Sequence, residues 1–138
     1  MSANNPTPEQ IQALIEKGPD GPIVMVNLLR YRDKADYPAT KPEAKENLSG
    51  REAYRRYGMG VTPILGKLGA GIVYGGDQKL VIVGGESEVW DEVILVRYPS
   101  RQTFLGMAMS AEYQAIAYHR EAALERSALL CTTEGLAP

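Results

Sequence analysis

The sequence predicts an α+β domain in which strands and helices follow one another in the order β-α-β-β-α-β, after one extra N-terminal helix. Residues 23–29 and 93–96 are nearly unbroken apolar runs, typical of strands that are buried on both faces. Pro99 cannot donate to a strand ladder and Ser100 can cap the next helix, so the second run leads directly into a helix. This order is that of the ferredoxin-like fold, in which an antiparallel sheet carries both main helices on one face.

The composition is that of an ordinary globular protein. Its 138 residues are enough for one domain with one core. The formal net charge of −2 gives no field that would attract nucleic acid or an anionic membrane. The single cysteine, Cys131, excludes an internal disulfide and indicates a reducing compartment. Residues 1–8 are polar and no apolar run is long enough to cross a bilayer, so we expect a cytoplasmic protein.

The first 21 residues predict a helix followed by a turn. Thr7 is a suitable N-cap, Pro8 suits the first helical position, Gln10 completes a capping box and Gly18 ends the helix. We expect residues 22–132 to form the ferredoxin-like domain and residues 133–138 to be a loose tail.

The segment between the first strand and the second helix is unusually long for a compact domain. Residues 33–49 are polar and mixed in charge, and they include two prolines. Such a segment is expected to be a lid or a mobile insertion.

The second helix is predicted from Ser49 or Gly50, because apolar and aromatic residues recur there at helical spacing. Those residues are Tyr54, Tyr57, Val61, Leu65 and Leu68. Pro63 should kink or split this helix. Residues 72–74 and 80–83 then predict two short strands, or one strand bent at the intervening glycines.

The last part of the domain predicts two helical segments and a short strand. Ser100 begins the first segment, Ser110 can cap the second, and residues 127–132 form the strand. The two main helices cover one face of the sheet, yet the central strands are apolar on both faces. A second copy of the same sheet is the simplest cover for the other face, so we expect a homodimer.

Several segments carry a family resemblance: VMVNLLRYR at 24–32, GREAYRRYG at 50–58, WDEVILVRYPS at 90–100, SAEY at 110–113 and HREAAL at 119–124. They resemble the family known as domain of unknown function 1330. The resemblance covers nearly the whole domain, and it implies the dimeric α/β-barrel superfamily, in which two ferredoxin-like sheets face each other. It supplies no activity, because this family has no settled one.

The wider superfamily includes cofactor-independent monooxygenases, haem-degrading enzymes and small-molecule lyases. Assigning one of these activities to this chain from superfamily membership is therefore an analogy only. Similar enzymes place an asparagine on the first strand, a tryptophan beside the third and a histidine on the second helix. Asn27, Trp90 and His119 occupy comparable places in this chain.

Asn27 and Arg97 are polar residues on otherwise apolar strands. A buried amide needs partners, so Asn27 either holds the sheet together or faces a pocket. Arg97 alternates with Val93 and Leu95, so it lies on a strand face that is otherwise apolar. If its side chain points inward, it must pair with an acidic side chain or a ligand carboxylate. If it lies beyond the edge of the sheet, it is solvated.

His119 is the single histidine of the chain. With no cysteine or carboxylate cluster at ligand spacing beside it, it predicts no structural metal site. Its ordinary pKa lies near 7, so it is a candidate general base or axial ligand, and the alternative is an exposed or capped helix residue.

Trp90, Tyr54 and Tyr57 are aromatic residues for which two roles remain open. Each either fills the core or lines a pocket, where the two hydroxyl groups would reach a ligand. Cys131 is expected to be a small buried apolar residue, because no histidine lies near it in the sequence.

These residues predict a small-molecule pocket between the sheet and the helices, lined by Asn27, Trp90, Arg97 and His119. An enzyme with this pocket would oxygenate or isomerise a small organic acid or aromatic compound without a bound cofactor. Asn27 and Arg97 would stabilise an enolate-like oxyanion and His119 would move a proton. The alternative is a non-catalytic ligand-binding or stress-associated dimer, and haem binding through His119 is a third hypothesis.

Overall fold

A computed structural model describes residues 3–135 of the chain. Met1, Ser2 and the predicted tail residues 136–138 lie outside the described part. The elements, in chain order, are α1 (Pro8–Lys17), β1 (Ile23–Tyr31), α2 (Gly50–Lys67), β2 (Gly71–Asp77), β3 (Glu92–Tyr98), α3 (Arg101–Ala108), α4 (Ala111–Gln114), α5 (Ala117–Ala123) and β4 (Leu124–Thr133). Short 3₁₀ turns occupy Pro42–Lys45 and Glu86–Glu88. The predicted α+β element order and the extra N-terminal helix are confirmed.

The four strands form one antiparallel sheet in the order β2-β3-β1-β4, so β1 and β3 are central, as a ferredoxin-like fold requires. Along β1, Met25 lies opposite Val96 of β3 and Cys131 of β4. The next residue, Val26, lies opposite Leu95 and Leu130. Because paired residues share a face and successive residues alternate, this register assigns every strand residue to one of two faces.

The helices pack on the face that carries Ile23, Met25 and Leu29, here called the inner face. These three side chains are at most 3% exposed, and they lie in two core clusters with residues of α2, α3 and α5. The opposite face, here called the outer face, carries Val24, Val26 and Leu28, which are half-buried. The expectation that both faces are buried therefore holds only for the inner face of a single chain.

Helix beginnings follow the sequence closely. Thr7 and Ser49 both complete capping boxes, and Ser100 and Ser110 each accept a hydrogen bond from a backbone amide three residues ahead. These contacts satisfy amides that have no partner within the helix, which is why hydroxyl residues fix the starting points.

The second helix runs without interruption through Pro63, so the predicted split is wrong. Proline removes one backbone donor from the helix interior. A side chain next to Pro63 adds a hydrogen bond to this part of the helix, since the hydroxyl of Thr62 donates to the carbonyl of Gly58 at 2.7 Å. Burial of Tyr57, Val61 and Leu65 on the inner side stabilises the helix through tertiary packing.

Residues 80–83 do not form a strand, although their apolar run favoured one. Strand β2 ends at Asp77, and Gln78 then bridges the loop by donating to the Glu88 carbonyl and accepting from the Trp90 amide. Leu80, Ile82 and Val83 are left 76%, 84% and 90% exposed in the single chain.

The segment 33–49 packs against α5 rather than extending from the domain. Its Tyr37 is 8% exposed, the Asp36 amide donates to the Ala122 carbonyl at 2.9 Å, and Ala35 pairs with Leu48. Strand β4 begins at Leu124, three residues earlier than predicted, because the chain leaves α5 directly into the sheet.

We expect Gly50→Ala to lower the free energy of unfolding by about 1–3 kcal/mol. A Cβ at Gly50 would lie 2.3 Å from the Arg32 carbonyl oxygen and 2.7 Å from that of Ala123, and neither backbone atom can move freely. Gly58→Ala, on the same helix with nothing within 4 Å of the new atom, should instead raise it by about 0.5–1 kcal/mol. Urea denaturation measures both, and equal effects of the two substitutions would contradict this packing.

Candidate functional site

A cavity of about 980 Å³ lies between the inner face of the sheet and the helices. Residues of β1, β3 and β4 form its floor, and α2, α3, α4 and α5 form its roof. Residues 3–6 and the α1 residues Gln10, Ile11 and Leu14 form one side wall. This is the place where the sequence predicts a pocket, between sheet and helices.

The floor of the cavity is mainly apolar, with one polar residue at its centre. Met25, Ile94 and Val96 supply apolar surface from the two central strands. Asn27 lies between them, and its amide nitrogen has one long hydrogen bond, 3.5 Å to the Met25 carbonyl. The Asn27 side chain therefore has hydrogen-bonding capacity facing the cavity.

Tyrosine hydroxyl groups are concentrated in the roof and at one end of the floor. The hydroxyl groups of Tyr57 and Tyr113 are 3.0 Å apart, and the ring centroids of Tyr54 and Tyr57 are 5.1 Å apart. Tyr98 adds a fourth ring from β3. Together they give the cavity a wall of aromatic faces and phenol groups.

Burial shifts the titration of these phenols, which are already protonated at neutral pH, to still higher pH. Burial raises the pKa of Tyr54 to about 12. The positive charge of Arg120 and its hydrogen bond to the hydroxyl act in the opposite direction. Burial also raises the pKa of Tyr57 and Tyr98 well above the ordinary value. Protonated phenols can donate hydrogen bonds to a ligand and do not serve as bases.

Arg120 of α5 also lines the cavity, and it is not among the site residues predicted from the sequence. One guanidinium nitrogen donates to the Asn4 carbonyl at 2.8 Å, and the Tyr54 hydroxyl lies next to the same group. Among residues 3–135, the Arg120 guanidinium has no carboxylate within 4.0 Å. One signal was available, since Arg120 continues the helical spacing of Tyr113 and Ala117.

The N-terminal segment is held across the side of the cavity by polar contacts. The Asn4 amide nitrogen donates to the Leu124 carbonyl at 3.2 Å, and the Ser127 hydroxyl donates to the Asn4 amide oxygen at 2.6 Å. Asn5 donates to the Glu121 carboxylate at 3.3 Å. A polar terminal segment carries no pattern that predicts such contacts, so this wall could not be predicted from the sequence.

His119 does not line the cavity but contacts the segment 33–49. Its Nδ1 shares a hydrogen bond of 2.7 Å with the Tyr37 hydroxyl, and its ring stacks on Tyr118 with centroids 4.2 Å apart. Burial lowers the pKa of His119, while the nearby Glu43 carboxylate acts in the opposite direction. The ring therefore stays mainly neutral at pH 7. Because His119 does not line the cavity, a ligand bound there would not contact it.

Arg97 and Trp90 also lie away from the cavity. Arg97 shares the outer face with Val93 and Leu95, as its alternation predicts, and its guanidinium forms an ion pair with Glu134. Trp90 is 7% exposed at the start of β3, and the Arg126 guanidinium lies 3.9 Å from its ring centroid.

The structure thus brings together Asn27, Tyr54 and Tyr57 and separates them from Trp90, Arg97 and His119. Cys131 lies at the cavity edge on β4 and is exposed, so the expectation that it is buried is wrong for the single chain. Residues 3–135 include no group of three or more His, Cys, Asp or Glu side chains arranged to hold a metal ion. No helix within that range has both the length and the apolar character needed to cross a bilayer.

Comparison with solved structures gives two strong similarities and several distant ones. The chain is 34% identical to methylated RPA0582, covering 97% of this chain and 95% of that one, with a TM-score of 0.86. A second structure, of the protein of unknown function RPA0582 from Rhodopseudomonas palustris, is 33% identical over 100% of both chains, with a TM-score of 0.86.

Distant similarity is limited to the fold. A dimeric protein of unknown function with a ferredoxin-like fold from Bacteroides fragilis is 13% identical, covering 82% of this chain and 96% of that one, with a TM-score of 0.51. No curated protein matches the chain.

The family model for a domain of unknown function, DUF1330, matches residues 44–133, which is more than half of the chain. The chain therefore belongs to the DUF1330 family.

Proposed function

We propose that this protein is a homodimer that binds a small organic acid or aromatic compound in the cavity of each subunit. The cavity volume of about 980 Å³ carries the proposal. Ligand sites of about 300–1,000 Å³ typically combine mainly apolar walls with a few fixed polar groups. Met25, Ile94 and Val96 supply apolar walls here, and Asn27 and the tyrosine hydroxyls supply polar groups.

The positions of the predicted catalytic residues favour ligand binding over the enolate mechanism. That mechanism needs Asn27, Arg97 and His119 around one ligand. Arg97 lies on the outer face with Glu134, and His119 contacts Tyr37. The haem hypothesis also gains no support, because His119 does not line the cavity and its ring packs against the rings of Tyr37 and Tyr118. Oxygenation or isomerisation would have to use the groups that do line it.

The outer face of the sheet supports the homodimer. Val26, Leu95 and Leu130 lie side by side across three strands, and Leu130 is 50% exposed in the single chain. Exposed apolar patches on a sheet commonly mark protein contacts. A second copy facing this surface would cover it, and the Bacteroides fragilis structure with the same fold is described as dimeric.

We expect a neutral aromatic probe, 3-phenylpropanamide, to shift the ¹³C-methyl resonances of Met25 and Met107. Both methionines line the cavity. Met59 and Met109 are 73% and 78% exposed, so their resonances serve as internal controls. Two-dimensional NMR of [methyl-¹³C]methionine-labelled protein measures the shifts. Equal shifts at all four methionines, or none at Met25 and Met107, would contradict binding in the cavity.

Leu95→Lys should convert the dimer to monomers, raising its dissociation constant about 100-fold or more, because two lysines would be buried on an apolar surface. Met59→Lys, which places the same charge on the helix side, should leave the dimer intact. Sedimentation velocity measures the association state. A Leu95→Lys protein that remains dimeric, or a wild-type protein that is monomeric, would contradict this interface.

Stability should fall as the pH rises from about 10 towards 12, because burial raises the pKa of the cavity phenols. The unfolded chain loses these protons at the ordinary pKa near 10.0, so unfolding releases protons in this range and higher pH favours it. Tyr54→Phe should reduce the slope of unfolding free energy against pH. Urea titrations at a series of pH values test this, and a free energy that is constant above pH 10 would be inconsistent with buried neutral phenols.

A further inference from the structure

Arg120 differs from most other arginines of the chain in having no acidic partner among residues 3–135. Arg30, Arg51, Arg56, Arg97 and Arg101 each form an ion pair with a carboxylate. Arg126 lies over the ring of Trp90. The Arg120 side chain is only partly exposed, and a cation with partial burial is stabilised when an anion pairs with it.

The acceptors near Arg120 leave part of its hydrogen-bonding capacity unused. A guanidinium has five N–H donors; the Asn4 carbonyl accepts from one of them, and the Tyr54 hydroxyl lies nearby. Glu121, the next residue, also lines the cavity, but its carboxylate accepts from Asn5 and forms no ion pair with Arg120. Among residues 3–135, no carboxylate therefore forms an ion pair with Arg120.

We propose that Arg120 binds the carboxylate of the ligand, and that the ligand is therefore an organic acid with an apolar or aromatic body. This inference rests on the proposed function, since it assigns a ligand class to the same cavity. A carboxylate can accept two parallel hydrogen bonds from a guanidinium, which a backbone carbonyl cannot. The Tyr54 hydroxyl, which lies near Arg120, would donate to the same carboxylate.

The rest of the cavity fits the other end of such a molecule. Beyond Arg120 the walls are the rings of Tyr57 and Tyr98 and the apolar side chains of Met25 and Val96. A body without charge would gain by burial against these surfaces. An acid with a second charged group would leave that group without a partner there, which disfavours dicarboxylates.

The test compares two probes with the same body, 3-phenylpropanoate and 3-phenylpropanamide. Their dissociation constants are measured from the methyl shifts of Met25 and Met107. In the wild-type protein the acid should bind about tenfold more tightly than the amide, because only the acid forms a charge-assisted pair. In Arg120→Gln this ratio should fall to about one, while the affinity for the amide changes by less than about threefold.

Two further variants control for charge and folding. Arg55→Gln removes an exposed arginine of α2 and should keep the wild-type ratio. Arg120→Lys keeps the charge without the paired donors and should give an intermediate ratio. Continued binding of the amide by Arg120→Gln shows that the variant is folded with its cavity intact; if that variant does not fold, the ratios of wild type, Arg120→Lys and Arg55→Gln decide.

The outcomes separate the two proposals. If the amide shifts Met25 and Met107 but the acid binds no more tightly, the cavity binds ligands and the role of Arg120 is overturned. If neither probe shifts these methionines, the proposed function fails, and the ligand class assigned to Arg120 fails with it. If Arg120→Gln keeps the preference for the acid, a different group recognises the carboxylate.

Discussion

The pairing of β1 with β3 on one side and β4 on the other is the constraint on which the rest of the structure depends. Backbone hydrogen bonds to two neighbours fix the register of β1, and a shift of one residue would exchange its two faces. In the observed register Met25 and Asn27 face the helices, while Val26 faces away. The floor of the cavity and the apolar outer face are therefore two consequences of one pairing.

Helix α5 carries both residues that line the cavity and the aromatic cluster around His119. Adjacent helix residues differ in direction by about 100°, so His119 and Arg120 cannot point to the same place. Arg120 contacts the N-terminal segment and the cavity. His119 is held between Tyr37 and Tyr118, and Tyr118 in turn donates to Glu43 at 2.9 Å. These contacts attach the segment 33–49 to the domain, and its residues do not line the cavity.

Local features of the fold could be predicted from the sequence because they depend on neighbouring residues. Thr7, Ser49, Ser100 and Ser110 fix helix beginnings through contacts three residues away, and the apolar runs mark the central strands. The loop at 80–83 was predicted incorrectly, because its apolar residues indicate burial without identifying what covers them. Exposed Leu80, Ile82 and Val83 are consistent with cover from outside the chain.

The candidate site could be predicted only in part, because its groups come from distant positions. Alternation along β1 placed Asn27 on one face with Met25, and helical spacing placed Tyr54 and Tyr57 on the buried side of α2. Arg120 was missed because it stands next to Glu121, and an adjacent pair of opposite charges is typical of an exposed helix face. Its environment depends on Asn4, which is 116 positions away, and no local pattern reports such a contact.

Native mass spectrometry of the protein, purified from cells without added ligand, tests whether it is a dimer with an occupied cavity. We expect a mass of two chains that carries a reproducible small adduct, lost on collisional activation before the chains separate. The adduct should be an organic acid when identified from the released fraction. A protein that is monomeric at micromolar concentration and free of adduct in repeated preparations would contradict both the homodimer and the occupied cavity.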